Sequence, residues 1–295
     1  MDTRMSRTNR VLAAVAASAA LLALAAFAPS DTRVRADDPI ADAMKSLAES
    51  RASALVPVKY VLKGGGGQFE EDMEMEAPGV VIEKTGLVLV ANTYLGGFMS
   101  RFGGGASVTP TDIKVLVGDD TQGVEAKMIA KDGELDLAWI QINEPAAEGY
   151  PFVSFDHAAT PEIGDSIFGV RRMGKFFDRA TLVSVSRVSG TTKKPRKLYL
   201  DTTGNAVSMG HPVYDTHGIV IGVGTMVLPE QDEMEGLGRM FSAREDFGTG
   251  MILSADEVVK ATARAKEMAA LGKSSEDAAP APAEPKPEGA GEMEP

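Results

Sequence analysis

Two successive sets of short apolar segments, each segment closed by Gly, Asp or Pro, set the terms for this chain. The first set is Leu55–Leu62, 79–82, Leu87–Ala91, 113–117, 126–130 and Leu137–Ile142. The second is 166–170, 181–188, Leu198–Asp201, Pro212–Tyr214, 219–223 and 250–253. Runs of this length, rich in Val, Ile and Leu and bounded by turn formers, read as strands. No helical pattern separates the two sets. The expected architecture is therefore all-β, a pair of small antiparallel barrels.

The flanks read differently. Residues 37–51 carry helical spacing at Ile40, Met44 and Leu47, a short amphipathic lead-in. Residues 254–273 turn helical again. Ser254 stands three residues before Glu257 as a capping box, Val258, Ala261, Ala265 and Met268 follow on one face, and Gly272 is a stop signal. From residue 274 the chain is Pro, Ala, Glu and Gly. It buries too little apolar surface to offset chain entropy and is predicted disordered. At the other end, Arg4, Arg7 and Arg10 precede an apolar, Ala-rich run over 11–28 and a Val34-Arg35-Ala36 cleavage triplet. That order reads as a secretory signal peptide, with an uncleaved anchor as the alternative and the only expected membrane contact. The resulting division is 1–36 signal peptide, 37–53 lead-in, 54–272 double-barrel domain with its C-terminal helix, and 273–295 tail. The expected location is exported, periplasmic or extracellular.

Composition excludes several chemistries. There is no cysteine, hence no disulfide, thiolate nucleophile or cysteine metal site. A net charge of −12 repels phosphate backbones, so nucleic acid is not an expected partner. The glycine stretches 64–67 and 103–105 lack phosphate-loop spacing and read as loops. Glu70, Glu71, Asp72, Glu74 and Glu76 lack calcium-loop spacing and read as a solvated acidic hairpin. No cofactor is expected.

Three segments in order resemble the trypsin-like serine proteases of the HtrA/DegP type. Gly79-Val-Val-Ile-Glu-Lys-Thr-Gly-Leu-Val-Leu-Val-Ala-Asn-Thr-Tyr-Leu95 is similar to the family's first-barrel hairpin. Leu135-Asp-Leu-Ala-Trp-Ile-Gln-Ile142 is similar to its T-D-L-A-V-L-K-I strand. Asp201-Thr-Thr-Gly-Asn-Ala-Val-Ser-Met-Gly-His-Pro-Val213 is similar to D-x-x-x-N-x-G-N-S-G-G-P-L. The resemblance covers about 55–271 and implies a trypsin-like double six-stranded antiparallel β-barrel with short terminal helices. It also implies a peptide-bond hydrolase, although fold alone does not carry function.

Carried over residue by residue, the chemistry breaks. The family histidine falls on Thr93, whose hydroxyl is no base near neutral pH. The family aspartate is kept as Asp136, expected to cap a turn or bond Thr93. The family serine falls on Met209, and a thioether is not an acyl-transfer nucleophile. Ser208, one residue earlier, is a candidate outside the register, and small displacements defeat catalysis. The oxyanion-hole glycine falls on Val207, and a β-branched residue resists positive φ. The chain's histidines are His157, His211 and His217. His211 reads as a structural histidine or a relocated base. His211, Asp215 and His217 do not match zinc spacing, so no metal is expected, and His217-Gly218 reads as a hairpin turn.

Arg171, Arg172, Lys175, Lys193, Lys194, Arg196 and Lys197 concentrate base in an acidic chain. They read either as a solvated face or as a docking surface for an acidic partner. An acidic stretch over 227–248 borders the family's specificity pocket. The leading expectation is an exported pseudoprotease that binds polypeptide or a protein. A serine endopeptidase rearranged around Ser208 and a structural envelope protein are the alternatives.

Overall fold

The apolar segments become strands in a computed structural model that describes residues 38–63, 72–97, 110–118, 120–144, 146–194, 196–226 and 249–272. The first set comprises β1 (Leu55–Leu62), β2 (Met73–Glu83), β3 (Leu87–Ala91), β4 (Pro110–Val115), β5 (Val124–Asp132) and β6 (Leu137–Ile142). They close into an antiparallel barrel in the order β1-β2-β3-β6-β5-β4. Strand β3 shows why these short runs are apolar throughout. Val88 and Val90 point into the barrel with Val58, Tyr60 and Ile140, while Leu87 and Leu89 pack outward with Trp139 and Leu253. Alternate side chains face opposite ways, and here both faces are buried.

The second set is β7 (Ser166–Arg172), β8 (Thr181–Arg187), β9 (Gly190–Thr191), β10 (Leu198–Asp201), β11 (Pro212–Tyr214), β12 (Val220–Thr225) and β13 (Gly250–Ser254). Its order is β8-β7-β11-β12-β13-β10-β9, a half-barrel sheet of seven strands. The double-barrel architecture is present. The second half holds one short strand more than the six expected, and no ladder joins β8 to β9 among the described residues. Side chains bridge that side instead: Ser186 Oγ donates to Asp201 Oδ1 at 2.6 Å.

Helix α1 (Pro39–Arg51) lies against this sheet through buried Leu47. Arg51 Nη2 donates to Gly218 O at 2.8 Å, and its guanidinium stacks 5.6 Å from the Tyr214 ring centre. Helix α2 (Ala255–Ala270) buries Val258, Ala261 and Ala265 in the shared core. Trp139 Nε1 of β6 donates to its Thr262 Oγ1 at 3.0 Å, and Lys266 pairs with Glu83 at 2.9 Å.

Some local expectations are corrected. Ser254 does precede α2 in extended backbone but forms no capping bond. It ends β13 with its side chain buried, and Glu257 pairs with Lys260 at 3.0 Å instead. The acidic tract is a solvated hairpin arm where it is described: Asp72 is exposed, and Met73 to Glu76 are the exposed start of β2, paired antiparallel with β1. Glu70, Glu71, the glycines at 64–67 and 103–105, the leader, the stretch 227–248 and the tail from 273 lie outside the described residues.

Candidate active site

Strand β3 ends at Ala91 and the chain enters a tight turn over Asn92–Leu95. The β5–β6 turn anchors it. Asn92 N donates to Asp136 O at 3.0 Å, Thr93 N to Asp136 Oδ1 at 2.6 Å, and Thr93 Oγ1 to the same oxygen at 2.7 Å. Asp136 is buried and sits at φ +57°, a left-handed conformation that costs about 1 kcal/mol for a side chain and that Asp tolerates better than most. Its neighbour Leu135 O accepts a 2.7 Å bond from Thr225 Oγ1 of β12, tying the turn to the second sheet.

The facing wall is built from residues 201–211. Asp201, fully buried, accepts from Ser186 Oγ, Thr203 N and Oγ1, and Ala206 N. Burial opposes its ionisation, but these four donors prevail and hold its carboxyl below the usual range. The chain then runs through Val207, Ser208 and Met209 to Gly210. A Cβ on Gly210, at φ +76°, would lie 2.8 Å from Ala91 N, so only glycine fits against the end of β3. Met209 bridges Gly224, and Gly210 N donates to Gly224 O at 2.8 Å. This seats the 207–211 wall beside the Thr93 turn.

The histidine question has a geometric answer. His211 is buried, and its Nδ1 lies 3.2 Å from Met209 O. Ser208 O accepts from His211 N at 3.1 Å, while Ser208 Oγ bonds no described residue. Burial, with some help from Arg171, drives the His211 ring down to about 4. His217 lies in the β11–β12 turn, where Asp215 Oδ1 accepts from His217 N and Ile219 N, so that carboxylate serves the backbone. His157 is exposed in a loop. Among the described residues no cluster of three potential metal ligands occurs.

Residues 77–223 match the family model of the trypsin-like peptidase domain. The chain carries a trypsin-like peptidase domain. The crystal structure of Deg5 shares its fold, with a TM-score of 0.50 at 18% identity, over 75% of this chain and 92% of that one. No curated protein sequence matches the chain.

Within this trypsin-like domain, Thr93 and Asp136 are bonded to each other, Gly210 backs onto Ala91 at the end of β3, and Tyr94 and Ser208 line one cleft between the two sheets. Val207 is not in a left-handed conformation, and its side chain fills the room above two glycines. A Cβ on Gly250 would meet Val207 Cβ at 2.8 Å, and one on Gly224 would meet Val207 Cγ1 at 3.1 Å. Ser208 and His211 line a cleft of about 240 Å³ together with Tyr94, Arg171, Arg172 and Arg179. Tyr94 received no weight in the sequence, although it follows Thr93 directly. Burial and then the Asp136 charge raise its phenol, against a lowering by Arg171. The basic residues singled out in the sequence fall in two places. Arg171, Arg172 and Lys175 are at the end of β7 and the following turn. Lys193, Lys194, Arg196 and Lys197 belong to the β9–β10 hairpin, separated from β7 by β11, β12 and β13 in the sheet order, and none lines the cleft.

Proposed function

We propose that this trypsin-like domain is a pseudoprotease: a module that binds polypeptide in the cleft between its two sheets and does not cleave it. The observation that carries this reading is the 2.7 Å bond from Thr93 Oγ1 to Asp136 Oδ1. The aspartate that would orient an imidazole is engaged by an alcohol that cannot accept the proton of a nucleophile at neutral pH. Support comes from the opposite wall, where Met209 stands at the serine position and the His211 ring turns to a backbone carbonyl rather than to Ser208. A cleft retained without its base still has the shape to hold a chain, and binding needs only that shape.

The test is a fluorophosphonate label together with casein hydrolysis on the full chain. Neither labelling nor cleavage is expected. Labelling that vanishes in Ser208→Ala would replace this reading with a rearranged endopeptidase. We further propose that the protein acts outside the cytoplasm, on the strength of the basic, apolar and small-residue order over 1–36. Cell fractionation with N-terminal sequencing checks this, and a cytoplasmic protein with an intact leader would refute it.

A further inference from the structure

The cleft holds two arginines that have no counter-ion among the described residues. Arg171 and Arg172 end β7, both half-buried, and both line the cavity beside Tyr94, Ser208 and His211. The other arginines in this part of the molecule have partners. Arg179 grips Glu76 with both nitrogens, at 2.6 and 3.0 Å, and Arg196 pairs with Glu134. Arg171 instead offers Nη1 only to the Met173 sulfur at 3.5 Å, a weak acceptor. Arg172 Nε is buried with no hydrogen bond to any described residue. Neither forms an ion pair with a described residue. The charge of Arg171 is felt at both Tyr94 and His211, so it acts into the cleft rather than away from it.

This arrangement runs against the composition. The chain has 42 acidic residues to 30 Lys and Arg, yet Glu76, which lines the cleft, is engaged by Arg179, and no described acid pairs with Arg171 or Arg172. A partly dehydrated guanidinium without an acceptor is costly, and the same group forms short, paired bonds to a planar carboxylate. A cleft of about 240 Å³ admits a side chain and its backbone, not a large cofactor. Arg172 and Arg179 also line a second depression of about 620 Å³, together with Lys59, Lys175, Asp120 and Asp178. An extended chain has room to run from one to the other.

We propose that the cleft is a receptor for an acidic polypeptide segment, with one Asp or Glu carboxylate of that segment seated on Arg171 and another on its strand neighbour Arg172, which also lines the adjoining depression. The inference rests on the reading of this domain as a polypeptide-binding module and adds the class of partner. It also assigns the binding to the cleft arginines and not to the Lys193–Lys197 hairpin.

The test is fluorescence anisotropy of the full chain with labelled oligoglutamate, with oligoglutamine and a phosphoserine peptide of equal length alongside. Oligoglutamate is expected to bind, more weakly as salt rises, and the Arg171→Gln/Arg172→Gln variant to lose about 30-fold in affinity. Arg171→Lys/Arg172→Lys, which keeps charge but not the planar fork, should fall between. Lys193→Gln/Lys194→Gln on the remote hairpin should match the unaltered chain. Thermal unfolding followed at Trp139 verifies that each variant is folded. Equal loss in the cleft and hairpin variants, or no oligoglutamate binding, overturns the proposal. Tighter binding of the phosphoserine peptide overturns the carboxylate assignment. Equal binding of oligoglutamine removes the acidic specificity while leaving the polypeptide-binding reading standing. Cleavage of any of the peptides defeats the pseudoprotease reading itself.

Discussion

Acid should destabilise this protein through His211 before its carboxylates titrate. The ring is 6% exposed, its Nδ1 faces Met209 O, and Arg171 is the charged group that acts on it. Burial lowers it from 6.5 to about 4, so the folded state keeps the ring neutral while the unfolded chain protonates it. A depressed histidine contributes stability that is complete above its unfolded value and is lost as pH falls toward the folded one. The window therefore runs from 6.5 down to about 4. At about pH 5 the unfolded ring is almost wholly protonated and the folded ring about one-tenth so, which amounts to about 2 kcal/mol relative to pH 7.5. Asp201 does not confuse the measurement. Its carboxyl is held low, so its contribution is present above the ordinary carboxylate value and is lost only at more acidic pH.

The assay is urea unfolding followed by the emission of Trp139, the only tryptophan in the chain and buried in the native state. Unfolding free energies near neutrality and at about pH 5 should differ by about 2 kcal/mol in the unaltered chain. In His211→Gln, whose side chain does not titrate, most of that difference should disappear, whatever the variant costs at neutral pH. Equal pH slopes in the two proteins would refute the argument, since they would mean that the folded ring takes up its proton as readily as the unfolded one.

Three further outcomes are expected. Thr93→Val removes one of the two bonds to Asp136 Oδ1 and should cost about 2 kcal/mol, lowering the thermal midpoint by about 4–8 °C in calorimetry. Gly210→Ala places a Cβ 2.8 Å from Ala91 N at φ +76° and should cost at least about 2 kcal/mol in urea unfolding, where an unchanged midpoint would contradict the close approach. Thr262→Val leaves the Trp139 indole N–H without its acceptor, and should cost about 1–3 kcal/mol and loosen α2, read by faster amide exchange along that helix.

The strands most legible in the sequence are those buried on both faces. Leu87–Ala91, Leu137–Ile142 and Pro212–Tyr214 are short apolar runs between turn residues, and their bounds in the structure are the bounds of the pattern. Strand β2 begins earlier than its apolar run because Met73 to Glu76 are solvent-exposed and held by the β1 ladder, which leaves no signal in side-chain type. Two-residue β9 is too short to carry a pattern at all. The Ser254 motif misled because burial at the end of β13 outweighs a local capping preference. At the site, the order of motifs singles out Thr93, Asp136 and Met209, and the first two are joined by a hydrogen bond. What the cleft arginines lack depends instead on contacts between distant residues. Arg179 meets Glu76 across 103 positions and Arg196 meets Glu134 across 62, and these pairings leave Arg171 and Arg172 with no ion pair to a described residue.

The fate of Asp136 joins the fold to the proposed function. A buried carboxylate in a left-handed turn is a costly arrangement to keep for a histidine that the chain does not place there. Here it has other work. Its Oδ1 fixes the backbone and hydroxyl of Thr93, its carbonyl holds Asn92, and the residue before it receives Thr225 from the second sheet. The turn is thus a bracket between the two halves of the domain, and removing it would disturb the cleft whether or not any bond is ever cut there. Asp201 does the same on the opposite wall, where four donors fix the loop that leads to Val207. Residues whose positions match a proteolytic site can therefore persist as struts of the cavity. In the proposed pseudoprotease, that separation lets a cleft bind a polypeptide without a base beside it, through the positive charge of Arg171 and Arg172.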